Sequence, residues 1–88
     1  MSKKYIILNP SLRWYVYKNM FLVYNPIMTK IIITNEYVVY YLKSIDKDDI
    51  TVHFNKYKKK YRKEINNVEY VYNNIAKLCI NNSWIKFQ

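Results

Sequence analysis

The sequence predicts an α+β protein in which a three-stranded antiparallel sheet is followed by three helices. Two observations carry this prediction. The first third of the chain consists of short β-branched and aromatic runs separated by turn residues, as in a β-meander. After residue 34 the apolar residues recur at helical spacing. The 88 residues, 51% of them hydrophobic, suffice for one domain with a core, so a single domain is predicted over residues 1–88.

The predicted strands follow one another from Arg13 to Thr34. Residues 13–18 are β-branched and aromatic, and a Lys-Asn pair separates them from a second run over residues 20–24, so the two runs should form a hairpin. An Asn-Pro turn follows, and residues 30–34 return as the third strand. The first and third strands are then the edges of the sheet.

Three helices are predicted after the strands. The first covers residues 35–45, with Asn35 as its N-cap and Glu36 in its first turn. The second begins after the acidic stretch 46–49 and ends in a run of lysines. The third follows an Asn-Asn pair and carries a regular apolar stripe. This stripe consists of Val68, Val71, Tyr72, Ile75, Leu78 and Cys79.

Two further expectations concern turns and the C-terminus. The chain has eleven asparagines and no glycine. Because asparagine tolerates the left-handed backbone region best after glycine, the asparagines are expected to take the turn positions. Residues 83–87 alternate large apolar and polar side chains and are expected to fold back on the core.

Composition also limits the compartment and the class of protein. Cys79 is the only cysteine, which predicts a reducing, cytoplasmic setting without an internal disulfide. The apolar stretch near the N-terminus is too short for a signal peptide, and no segment is long enough to span a membrane. His53 is interpreted as a surface or capping histidine, so no metal site is expected. Without a catalytic constellation or a glycine-rich phosphate loop, neither an enzyme nor a cofactor is predicted.

The formal net charge of +9 is concentrated in one segment. A solvated helix face is one interpretation of this basic patch. A surface for an acidic leader peptide or a partner enzyme is another, and nucleic-acid phosphate is a third, with Tyr57 and Tyr61 as stacking groups. The basic patch consists of Lys56, Lys58, Lys59, Lys60, Arg62 and Lys63.

Three strands followed by three helices form a winged-helix-like layout with the sheet placed first. Four segments occur in an order and spacing that cover nearly the whole chain: LNPSLRW (8–14), LVYNPIMTKIIITNE (22–36), NEYVVYYLKSI (35–45) and NNSWI (81–85). In this order the chain resembles the PqqD-like domains, which are recognition elements for the leader peptides of ribosomally made, post-translationally modified peptides.

The resemblance implies binding rather than catalysis. Members of this family dock a leader peptide as an added strand along the third strand, in the groove against the third helix. The implied function is that of a stand-alone peptide chaperone, which presents a precursor peptide to a separate modifying enzyme such as a radical S-adenosylmethionine enzyme. The implied peptide-binding residues are Lys30, Ile31, Ile32, Ile33 and Thr34 on the strand, and Tyr70, Val71, Asn74, Lys77 and Leu78 on the helix.

The physics of an edge strand favours the same site independently. An unpaired edge with three consecutive isoleucines is a template for another chain, and main-chain hydrogen bonds on such an edge provide affinity. The alternative is a winged-helix nucleic-acid-binding protein that uses the basic segment 56–63. Its third helix would offer Asn73 and Asn74 for base contacts but only one cation, Lys77, which favours a peptide over sequence-specific DNA. The sequence leaves the oligomeric state open.

Overall fold

The computed structural model describes residues 4–47 and 49–88, and it has the predicted α+β class with a three-stranded antiparallel sheet and three helices. Residues 1–3 and Asp48, which belong to segments considered above, lie outside the described residues. The strands are β1 (Ile6–Leu8), β2 (Arg13–Tyr17), β3 (Met20–Asn25), β4 (Lys30–Thr34) and β5 (Ile85–Phe87), and the helices are α1 (Glu36–Lys43), α2 (Ile50–Tyr61) and α3 (Val68–Asn81). The sheet order β2-β3-β4 makes β2 and β4 the edges.

A second sheet, of two strands, joins distant parts of the chain and is not part of the predicted architecture. β1 pairs antiparallel with β5, and two backbone hydrogen bonds between Tyr5 and Gln88, of 2.8 and 2.9 Å, extend the pairing. The predicted return of the C-terminal residues to the core is confirmed, because Trp84 and Ile85 are buried. The partner of these residues was missed because β1 is only three residues long and has no neighbouring strand in sequence.

Polar side chains begin all three helices. Asn35 Oδ1 accepts a hydrogen bond of 3.1 Å from the Val38 amide at the start of α1, and Asn67 does the same at the start of α3. In α2 the cap is Asp49, whose carboxylate accepts from the Val52 amide at 2.9 Å. Each cap satisfies an amide that has no partner within its helix.

The expectation that asparagines occupy the left-handed turn positions is wrong. Among the described residues no asparagine has a positive φ. The residues that do adopt the left-handed backbone conformation are lysines, a threonine and a serine. Asparagines act as acceptors next to the turns, as when Asn25 Oδ1 accepts from the Ile27 amide at 3.0 Å. The residues with positive φ are Lys18 (55°), Thr29 (51°), Lys47 (26°) and Ser83 (59°).

Tyrosines dominate the core between the helices. Tyr41, Tyr57, Tyr61 and Tyr72 are all buried, and His53 lies buried among them, so its interpretation as a surface residue is wrong. The capping interpretation agrees with its contact to the Tyr41 carbonyl in the last turn of α1. His53 Nδ1 lies 2.7 Å from the Tyr72 hydroxyl, and Nε2 lies 3.0 Å from the Tyr41 carbonyl oxygen. Because a carbonyl can only accept, Nε2 carries a proton, and in the neutral ring Nδ1 then accepts from the Tyr72 hydroxyl.

The apolar stripe predicted for α3 faces this core. Four of its members are buried and two are half-buried, which confirms the predicted stripe. Cys79 is fully buried in it and acts as a small apolar residue, as expected. The half-buried members, Val71 and Leu78, lie on the side of α3 that borders the groove described below.

Deleting two hydroxyl groups from this core is expected to have opposite effects on stability. Among the described residues the buried Tyr41 hydroxyl has no partner in hydrogen-bonding geometry, so Tyr41→Phe should raise the free energy of unfolding by about 1 kcal/mol. Tyr72→Phe removes the bond to His53 and should lower it by roughly 1 to 2 kcal/mol. Urea denaturation of both variants measures this, and a loss of stability in Tyr41→Phe contradicts the assignment.

The same core should make the protein unfold in alkali. Burial raises the pKa of Tyr72 and of Tyr61 to about 12, and the carboxylates of Glu36 and Glu64 add to the shift at Tyr61. Burial also raises the pKa values of Tyr41, Tyr57 and Cys79. In the unfolded chain the Cys79 thiol ionises above about pH 8.5 and the tyrosines above about pH 10, while the buried thiol and hydroxyls of the folded chain stay protonated, so stability falls as the pH rises from there towards 12.

Urea denaturation across this pH range tests the expectation, together with the ultraviolet absorbance of tyrosinate. The free energy of unfolding should decrease slightly between about pH 8.5 and pH 10, as the Cys79 thiol ionises in the unfolded chain, and more steeply above about pH 10, with part of the tyrosinate signal appearing only when the protein unfolds. A free energy that stays constant up to about pH 11.5 would contradict the burial of these hydroxyls.

Candidate functional site

β4 lies at the edge of the meander and divides its side chains between two faces. Alternate residues of a strand point to opposite sides. Ile32 is half-buried and packs against the core, whereas Ile31 and Ile33 are 65% and 67% exposed on the other face. The unpaired edge of β4 therefore lies between two apolar faces of the strand, one packed on the core and one exposed.

A groove separates the end of β4 from α3. Thr34 and Asn35 form one rim, where the chain passes from the strand into α1, and α3 forms the opposite rim. The volume of the groove is about 300 Å³, and none of its lining residues is charged. The lining residues are Thr34, Asn35, Tyr37, Val38, Val71, Asn74, Ile75 and Leu78.

At the other end of β4 a hydrogen bond connects the strand to the end of α3. Lys30 Nζ donates to Oδ1 of Asn82 at 3.0 Å, and Asn82 itself donates through Nδ2 to the Leu78 carbonyl at the C-terminus of the helix. Both ends of β4 thus lie beside α3 or its C-cap. A ligand strand that occupied the full length of β4 would meet the Lys30 bridge.

The floor and the walls of the groove differ in polarity. Val38 and Ile75 are buried and form an apolar floor, while Asn35 and Asn74 are exposed. Tyr37 is fixed by an edge-to-face contact with Tyr61, at 5.0 Å between ring centroids. An extended peptide that binds in this way needs apolar pockets for its side chains and polar groups of the protein beside them. The groove has both.

Four of the ten predicted peptide-binding residues line this groove together. They are Thr34, Val71, Asn74 and Leu78. Tyr70, which is 65% exposed, and Lys77, also exposed, are not among the lining residues. Ile31 and Ile33 lie on the outer side of the sheet, and only their backbone faces the edge.

Four lining residues were missed by the sequence analysis: Asn35, Tyr37, Val38 and Ile75. The first three were assigned only to helix formation. A signal for them exists, because α1 follows β4 with a single residue between them. The first turn of such a helix has to lie next to the end of the strand.

The basic patch lies away from the groove. Five of its six cations are exposed at the C-terminal end of α2, whereas Lys56 is half-buried and donates to the Ser44 carbonyl at 3.2 Å. Lys60 Nζ lies 5.5 Å from the centroid of the Tyr40 ring, and Lys43 approaches the same ring at 5.8 Å. Both lysines line a separate hollow with Val16 from β2.

The expectation that Tyr57 and Tyr61 stack on nucleic-acid bases is wrong. Their relative exposures are 0% and 1%, and the hydroxyl of Tyr57 donates to the Tyr37 carbonyl at 3.0 Å. The lysines of the patch are interleaved with these tyrosines in sequence but not on the surface, because the helix turns the rings into the core. Tyr57 and Tyr61 therefore offer no surface on which a base could stack beside the patch.

Within residues 4–47 and 49–88 no helix is long and apolar enough to cross a membrane. The same residues contain no group of three or more histidine, cysteine and acidic side chains that could hold a metal ion. Comparison of the chain with known protein families, with curated proteins and with solved structures finds no match.

Proposed function

We propose that the protein binds the leader segment of a ribosomally made precursor peptide and presents it to a separate modifying enzyme, for example a radical S-adenosylmethionine enzyme. In this proposal the protein is a peptide chaperone without catalytic activity or cofactor of its own. Its fold is assigned to the winged-helix-like, PqqD-like type on the order of its sequence segments. The observation that carries the proposal is the open edge of β4 beside an uncharged groove against α3.

The leader would add to the sheet as a fourth strand. Its backbone would pair with the outward N–H and C=O groups of β4, and alternate side chains would enter the groove between Thr34 and Asn74. An edge strand of five residues can form only a few such bonds, so the side chains in the groove have to supply much of the affinity. The ligand side chains that fit there are apolar or small and uncharged.

The basic patch acts in association in this proposal, not in recognition. The groove has no charged lining residue, so the charge of a leader has no counterpart at the site where it docks. Exposed cations at the end of α2 attract an acidic leader or enzyme over a longer range. Nucleic acid is the alternative ligand of the patch, and it is distinguished by competition with a random DNA duplex at physiological salt.

A charge placed in the groove should weaken binding without unfolding the protein. Asn74→Arg puts a long cation against the apolar floor and should weaken leader binding by about tenfold or more, since an extended side chain loses its pocket. Asn73→Arg is the matched control, because Asn73 lies next to it in sequence but faces the α2 side of α3. The probe is a fluorescently labelled synthetic peptide that alternates apolar with small uncharged residues and carries an acidic flank, and binding is measured by fluorescence anisotropy.

Equal affinities in the two arginine variants would place the ligand elsewhere and reject the groove. Displacement of the labelled peptide by a random duplex at equimolar concentration would reject the peptide proposal in favour of nucleic acid. Thermal unfolding midpoints of both variants serve as the check on folding.

Removing a backbone donor from β4 tests the strand addition itself. Alternate residues of an edge strand direct their N–H groups outward, so one of Ile32→Pro and Ile33→Pro should lose a hydrogen bond to the leader. That loss corresponds to roughly 0.5 to 1.5 kcal/mol, or about two- to tenfold in affinity. Ile32→Ala and Ile33→Ala are the matched controls, because they shorten the side chain and keep the N–H.

Each proline variant is compared with the alanine variant at the same position, and the unfolding midpoint of each variant is measured together with its affinity for the leader. If both proline variants are folded and bind as tightly as their alanine counterparts, β4 is not the docking edge.

A further inference from the structure

The meander has an exposed apolar face that the peptide site does not use. This outer face lies on the opposite side of the sheet from the helices, and its residues alternate with the buried ones on each strand. Five of its members are 45% to 67% exposed, and Leu22 and Tyr24 are half-buried. The apolar and aromatic residues of the outer face are Tyr15 and Tyr17 on β2, Met20, Leu22 and Tyr24 on β3, and Ile31 and Ile33 on β4, and Arg13 lies on the same side at the start of β2.

We propose that the outer face is the interface of a two-fold symmetric dimer, in which the sheets of two copies of this chain pack face to face. This inference goes beyond the proposed peptide binding and does not depend on it. It rests on the charge, area and arrangement of the outer face.

The charge distribution permits a second copy at this surface. Two molecules of net charge +9 repel each other, so a stable contact between copies requires a surface without cations at its centre. The central row of Tyr15, Leu22 and Ile33 meets this requirement. Arg13 lies at one end of the outer face, in the row of Tyr24 and Ile31. Lys18 lies at the other end, with Nζ 5.6 Å from the centroid of the Tyr17 ring. The basic patch is on the helix side, where Lys60 shares a hollow with the inner residue Phe21.

The exposed area is sufficient for a weak dimer. From the fractional exposures of its residues, the outer face presents on the order of 600 Å² of mostly apolar surface, at the upper end of the patches found on monomers. Two copies would bury about 1,200 Å² together, the lower limit for specific stable interfaces. A dissociation constant in the micromolar range is expected, because the favourable free energy from burying an interface of this size only slightly exceeds the entropic cost of association.

The side chains of the outer face are arranged in columns that complement each other. The aromatic residues lie on β2 and at Tyr24, with Tyr15 and Tyr24 stacked at 5.7 Å between ring centroids, and the β-branched residues lie on β4. A two-fold axis parallel to the strands places β2 of one copy over β4 of the other, at the spacing of about 10 Å typical of stacked sheets. Tyr15 and Ile33 share the central row, since both pair with Leu22. Each Tyr15 then lies over Ile33 of the second copy.

Face-to-face packing leaves the edge of β4 and the groove open. The backbone groups at the edge point along the plane of the sheet, while the dimer covers the surface perpendicular to it. Dimerisation can therefore be measured without any peptide, and its failure is separate from a failure of leader binding.

Sedimentation equilibrium of the full chain, from about 5 µM to 1 mM, measures the association expected in the micromolar range. The parent should dimerise, and more tightly as salt screens the repulsion between copies. Ile33→Lys places a cation in the central row and should weaken dimerisation by about tenfold or more. Ile80→Lys is the matched control, because Ile80 is a 42% exposed residue of α3, outside the outer face, and the change in charge is the same.

Two further variants keep the test independent of folding. Ile33→Thr retains a β-branched side chain suited to a strand and should weaken the dimer with little effect on the unfolding midpoint. Mixing Ile33→Lys with Tyr15→Glu should restore association as a heterodimer, because the two altered residues meet across the axis while the other Tyr15 and Ile33 pair is unchanged.

A parent that is monomeric at 1 mM overturns the proposal and leaves the outer face to a different protein. A dimer as sensitive to Ile80→Lys as to Ile33→Lys overturns it as well, since another surface then forms the contact. If the mixture of Ile33→Lys and Tyr15→Glu forms no heterodimer, the arrangement of β2 over β4 is wrong.

Discussion

The connection between β4 and α1 determines where the candidate site lies. Asn35 is the only residue between strand and helix, and it has an extended backbone, with φ −136° and ψ 175°, while its side chain caps the helix. One residue thus ends the strand and begins the helix. With no loop to separate them, the first turn of α1 has to lie against the end of the edge strand, and the groove forms at this corner.

The three surfaces of the molecule are separated by the alternation of the sheet and by the burial of the helices. The groove at the edge of β4 is uncharged, the outer face of the meander is apolar with cations only at its margin, and the exposed cations of the basic patch lie at the end of α2. A single β-branched strand contributes to two of these surfaces, because its backbone lies at the edge while Ile31 and Ile33 point outward. Binding at one surface therefore leaves the others accessible.

What could be predicted from the sequence was local. Helical stripes such as Val68 to Cys79 and the alternation along residues 13–34 depend on neighbours a few positions apart, and the structure has these elements. The burial of His53 depends on a tyrosine hydroxyl 19 positions away, and sequence spacing carries no signal for such a partner. The groove was predicted only in part, for the same reason. The residues of its α3 rim could be predicted from the helical periodicity. Tyr37 and Val38 could not, because their place in the groove depends on how α1 packs against α3.

The pairing of β1 with β5 has a consequence for how the chain folds. These strands close a loop that contains every other element, and closing a loop of that length costs more entropy than any step within the meander or between adjacent helices. The strands and helices between β1 and β5 can form their contacts with one another first. After that, only a short and ordered connection has to close when β1 pairs with β5. We therefore expect the two-stranded sheet to assemble after the meander and the helices, and its opening would expose Trp84, which is buried in the folded chain.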